Sequence, residues 1–129
     1  MQRDMDLIRE LLLRIEAMPI RQSEVHFLQP NAKEFSGVSD NPDLIAYNLR
    51  LMADAGFFSL THTQPAGGVG ILGLSWHGHE FLDSVRNPEI WQKTKEGAKK
   101  AGGFTLDLLG DLAKGLIKTQ IEKHTGIEL

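Results

Sequence analysis

Several residue groups in this chain are of types that do chemistry, and their spacing decides which chemistry is open to them. His77-Gly78-His79-Glu80 offers two imidazoles and a carboxylate within four residues. Histidines two apart on a helix point about 200° apart, so regular helical geometry does not bring both to one ion. A helical metal pair wants a spacing of three or four. The stretch from Pro65 to Gly70 is rich in glycine. It lacks the glycine-lysine-serine/threonine signature of a phosphate cradle and does not open into a helix, so it reads as a turn. Serines and histidines are present without the spacing of a nucleophile and its base. Asp107 and Asp111 fall on a solvated helix face, where no cleft shapes them into an acid–base pair. No catalytic residue, metal or cofactor is expected, and the chain reads as a non-enzyme.

What remains is recognition. Tyr47, Asn48 and Arg50 lie close together on a helical segment. Arg50 is of the type that contacts guanine, and Asn48 of the type that contacts adenine. His62 and Gln64 stand in the following loop, and Lys93, Lys95, Lys99 and Lys100 form a cluster suited to phosphates. On a DNA-binding reading these nine residues are the contacts. Against it, Asp43 and Asp54 share the helix face with Arg50, and phosphate neutralisation supplies most non-specific affinity. On the second reading the same face meets a host protein, since tyrosine and arginine are frequent hot spots. The first reading is a DNA-binding or regulatory protein, and the alternative is an adaptor or inhibitor with no nucleic-acid activity.

The elements that position these residues follow from periodicity and punctuation. A first helix is expected over 4–18, with Met5, Ile8, Leu12 and Ile15 at helical spacing and Pro19 as its stop. Residues 24–28 suit a short strand, and a helical turn fits near 32–35. Asn41-Pro42-Asp43 caps and opens a second helix, which Gly56 ends. Its apolar stripe is read as Leu44, Leu51 and Ala55, with Ile45, Leu49 and Met52 beside it. Strands over 57–63 and 69–74 form a hairpin, and Ser75 caps a helix to about Val85. Trp76 is expected in the core or at its rim, and His79 packed near the hairpin. Asn87-Pro88-Glu89 repeats the cap-and-proline signal for a mostly polar helix, which Ala101-Gly102-Gly103 breaks. The last helix, near 105–123, carries Leu108, Leu109, Leu112, Leu116, Ile117 and Ile121 as a wide stripe. Leu109, Leu112, Leu116 and Ile117 are the candidate contacts of a homodimer.

The chain has 129 residues, 41% hydrophobic and 24% charged, as in an ordinary globular domain. There are no cysteines, which excludes disulfides and thiolate chemistry and suits a cytoplasmic setting. No stretch reads as a signal peptide or a membrane span, so no membrane partner is expected. The net charge is −3, and residues 1–86 hold seven basic residues against eleven acidic ones. That balance lacks the basic excess typical of nucleic-acid binders.

The run Asn48–Phe58 resembles the end of the recognition helix in winged-helix regulators, where an alanine-glycine close leads into an apolar pair. Leu74-Ser75-Trp76-His77-Gly78 resembles their exit from the wing. More of the chain is similar to a family found in bacteria and prophages, called domain of unknown function 2513. The residues that carry the likeness are Arg3-Asp4-Met5-Asp6-Leu7-Ile8-Arg9, Ala53-Asp54-Ala55-Gly56, Gly78-His79-Glu80-Phe81-Leu82-Asp83 with Arg86, Ile90-Trp91 and Gly102-Gly103-Phe104. Tyr47-Asn48 departs from the tyrosine-histidine that the family more often has. The resemblance implies a winged-helix-like fold, frequent carriage by phages and no established activity. The expected class is α+β, with a winged-helix-like domain over 1–86 and a helical extension over 87–129.

Overall fold

Five helices and a three-stranded antiparallel sheet make up the structure, a computed structural model that describes residues 1–128. The order is α1 (Met5–Glu16), β1 (His26–Leu28), a 3-10 turn (Lys33–Phe35), α2 (Pro42–Asp54), β2 (Phe58–Leu60), β3 (Val69–Leu74), α3 (Trp76–Val85), α4 (Pro88–Ala101) and α5 (Leu106–Thr125). This is an α+β arrangement, compatible with a winged-helix-like one. The chain divides into two compact units, Met1–Glu80 and Phe81–Leu129.

In the first unit, α1 starts where its cap allows. The Asp4 carboxylate accepts from the Leu7 amide at 3.1 Å, satisfying one of the free donors of the first turn. Leu7, Ile8, Leu11, Leu12 and Ile15 are buried, and α1 packs against α2 and β3. Burying each such side chain fully contributes roughly 1.5–3 kcal/mol. The α2 helix is built as its punctuation predicts. The Asn41 side chain accepts from the Asp43 amide at 3.0 Å, Pro42 occupies the first turn, and Gly56 adopts φ +81° beyond the last turn.

The buried stripe of α2 differs from the expected one. Ile45, Asn48, Leu49 and Met52 face the core, whereas Leu44, Leu51 and Ala55 are half-buried. The observed set follows the i, i+3, i+4, i+7 rule, with a polar residue occupying one of its places.

In the sheet β3 is central, paired antiparallel with β1 and β2. The strand expected over 57–63 is shorter, running from Phe58 to Leu60, and a register shift between Ser59 and Leu60 makes its pairing with β3 irregular. The β2–β3 hairpin with its 61–68 loop forms a wing, and the chain then turns back sharply into α3. The Ser75 amide donates to the Phe57 carbonyl at 2.9 Å, and the Ser75 hydroxyl donates to the Gly56 carbonyl and accepts from the Gly78 amide. Gly78 is required there, since a Cβ would fall on the Phe57 carbonyl. His79 and Trp76 are both exposed, contrary to expectation. Trp76 is 81% accessible, with its indole N–H donating to Glu80 Oε1 at 3.1 Å.

In the second unit, α4 packs on α5. Asn87 caps α4 by accepting from the Glu89 and Ile90 amides, and Gly102 ends it at φ +86°. Ile90, Trp91, Thr94 and Ala98 form its buried face. The wide stripe expected on α5 narrows to Leu109 and Ala113 as fully buried residues. Gly110 and Gly115 have nothing near their missing Cβ positions, so neither marks a close helix contact. Gly97 of α4 is the glycine that faces α5, with Leu112 at 3.6 Å from its would-be Cβ.

Candidate functional site

A groove of about 410 Å³ opens in the first unit between α2 and the wing. Its helix wall is Ala46, Leu49, Arg50, Ala53 and Asp54, and its wing wall is Leu60, Gln64, Gly67, Gly68 and Val69. The helix wall is a second stripe of α2, at i, i+3, i+4, i+7 and i+8, displaced by one residue from the core stripe. Alanine at two of those places leaves the space. The volume lies within the range of ligand-binding pockets, and the lining is largely apolar with a few polar groups at the rim.

Arg50 and Asp54 are the charged residues of this lining, and both are exposed. They stand one helical turn apart, yet among the described residues neither belongs to an ion pair. Arginine preceding the acid is the weaker order for such a pair. Asp54 also occupies the last turn of α2, which holds no basic residue. A carboxylate there opposes the helix dipole, at a cost of about 0.3–1 kcal/mol.

The residues that the sequence singles out for recognition meet different fates. Tyr47 is half-buried and Arg50 exposed, both on α2. Asn48 is fully buried. Its Oδ1 accepts from the Asp4 amide and its Nδ2 donates to the Leu44 carbonyl, both at 2.9 Å. It therefore ties α2 to the start of α1 and is not available to a base. The signal was in the sequence, because Asn48 completes the stripe of Ile45, Leu49 and Met52.

His62 is exposed on the wing loop. Gln64, beside it, is engaged by its own loop. Its Oε1 accepts from the Gly70 amide at 2.8 Å, and its Nε2 donates to the carbonyls of Gly70 and Thr61, each at 3.0 Å. The side chain thus supplies the acceptor for the Gly70 amide, while the Gly70 carbonyl also accepts from the Thr61 amide at 3.0 Å. No sequence pattern announces this, since it depends on where the ladder breaks.

The four lysines lie in the second unit. Lys93 pairs with Glu89 at 3.8 Å, and Lys95 sits 5.7 Å from the centre of the Trp91 ring, a cation–π distance. Lys99 and Lys100 are exposed in the last turn of α4, where positive charge complements the dipole. Of the four candidate dimer contacts, Leu109 is fully buried within the single chain and so has no surface to offer a second copy. Leu112, Leu116 and Ile117 remain half-buried.

Among the described residues, no cluster of three or more histidines and carboxylates is placed to hold a metal ion. His77 lies 5.3 Å from Phe57, centroid to centroid, in a tilted ring contact. No helix among the described residues is long and apolar enough to cross a membrane.

The sequence profile of the family described as "Hypothetical protein (DUF2513)" matches residues 2–104, and this chain belongs to that family. The match runs from α1 through the end of α4. A Haemophilus influenzae (strain ATCC 51907 / DSM 11121 / KW20 / Rd) protein described as uncharacterized is 30% identical over 125 residues, covering 94% of this chain and 99% of the relative. No solved structure matches the chain.

Proposed function

We propose that this protein is a non-catalytic interaction module, and that the groove between α2 and the wing docks part of a protein partner. The observation that carries this reading is the character of the α2 face. It combines an apolar cleft with the Arg50 guanidinium and the Asp54 carboxylate, neither of them ion-paired among the described residues. Apolar burial drives protein association, and it adds little along a phosphate backbone.

A DNA-reading role draws on the likeness to winged-helix regulators, but the face suits it poorly. Asn48 and Gln64 are committed to the fold, and Asp43 and Asp54 flank the one arginine. A surface with a single free cation neutralises about one phosphate, which corresponds to a salt slope of about −0.9. The test is a titration with mixed-sequence duplex DNA at low and at physiological salt. The docking reading expects no binding, or binding with that shallow slope. Tight binding that collapses with added salt would overturn it in favour of a DNA-binding regulator.

A further inference from the structure

Asp54 is the groove residue that folding does not explain. It opposes the dipole of its own helix, is exposed, and among the described residues has no ion pair. Arg50, one turn earlier, is likewise uncommitted. Across from them the wing wall offers the apolar side chains of Leu60, 44% exposed, and Val69, beside Gln64 and two glycines. Leu60 ends β2, an edge strand of the sheet. Among the described residues no strand pairs with its outer edge, and such an edge is open to an added strand.

From this we infer that the groove reads an extended peptide segment of a partner, in which an acidic and a basic residue flank one aliphatic residue. The inference rests on the docking role proposed above and adds what the docked segment must carry. The spacing supports it. Residues four apart on a helix are separated by about 6 Å along the axis. Residues two apart on an extended strand are about 6.6 Å apart and lie on the same side. An acid and a base in that relation meet Arg50 and Asp54 together. The residue between them turns to the other side, toward Leu60 and Val69, where only an apolar side chain is matched. The two rim charges have opposite signs, so the order of acid and base along the segment is read as well.

The experiment uses the full chain, isotopically labelled for NMR, and three acetylated, amidated pentapeptides. One has glutamate, leucine and lysine in that order between two threonines, and the second has lysine, leucine and glutamate. The third has glutamine in both charged places. Each is titrated against the native protein and against the double variant Arg50→Asp/Asp54→Arg. Both substituted positions are exposed, and spectral dispersion confirms that the variant is folded. The native protein prefers one charged peptide over the other by about threefold or more, the scale of exposed charge pairs. The variant reverses that preference, and the amides of 46–54 and 60–69 shift. Equal binding of all three peptides, with those amides shifting, overturns the charge reading and leaves the docking role standing. If no peptide moves those amides at millimolar concentration, both the inference and docking at this groove are overturned.

Discussion

The second unit and the groove rim of the first use the same kinds of charged residue in opposite ways. In the second unit, charge serves the helices. Asp107 stands in the first turn of α5, and Lys123 and His124 in its last. Lys99 and Lys100 close α4, while Glu89 opens it and pairs with Lys93. Each placement complements a dipole or a neighbour. At the groove rim of the first unit, Asp54 opposes its helix dipole and Arg50 has no ion pair among the described residues. Charge that stabilises the fold needs no other explanation. Charge that does not, beside a cavity, is the better guide to function.

The glycines divide in the same way and give the largest expected effect. Gly78→Ala places a Cβ on the Phe57 carbonyl and destabilises the protein by about 1–3 kcal/mol, the scale of overpacking. Gly110→Ala or Gly115→Ala in α5 meets open space and stabilises by about 0.5–1 kcal/mol. Urea unfolding of the three variants checks the contrast. Equal effects would remove the distinction between a packed turn and a tolerant helix.

Gln64→Ala comes next. It removes the amide that brackets Gly70, and the expected loss is about 1–2 kcal/mol, the worth of one to two net hydrogen bonds. Hydrogen exchange at the Gly70 amide speeds up in the variant. Unchanged exchange would mean that the clasp does not hold the wing in solution.

A smaller pair sharpens the charge comparison directly. Asp54→Asn in α2 gains about 0.3–1 kcal/mol, whereas Lys99→Ala in α4 loses a similar amount. Thermal unfolding at low ionic strength separates the two signs. The smallest effect on stability is expected from Arg50→Ala, within about 0.5 kcal/mol of the native chain.

Much of the fold was legible because its signals are local. The caps at Asp4, Asn41 and Asn87, the prolines after the last two, and Gly56 and Gly102 fix helix ends through a few bonds each. The order of helices and strands follows from them. What sequence reading misplaced depends on long-range packing. Periodicity centres the stripe of α2 on Leu44, Leu51 and Ala55, yet Asn48 takes a core place, where its Oδ1 accepts from the Asp4 amide. Trp76, expected in the core or at its rim, stands outside because Gly78, two residues on, is what the Phe57 carbonyl admits. The site was half legible. The sequence puts Tyr47, Arg50 and Asp54 on the helix face opposite the apolar stripe, whereas the groove needs Leu60 and Val69 from strands that only folding brings to α2.

The most direct test of docking at this groove is site-specific photocrosslinking in the native host. A benzophenone amino acid replaces Leu60 inside the groove, and in a separate variant Phe27, 56% exposed on β1, as a control. The docking account predicts a protein adduct from position 60 that is absent from position 27 and lost when Arg50→Ala is added. An adduct that forms equally from both positions, or one to nucleic acid, would contradict it.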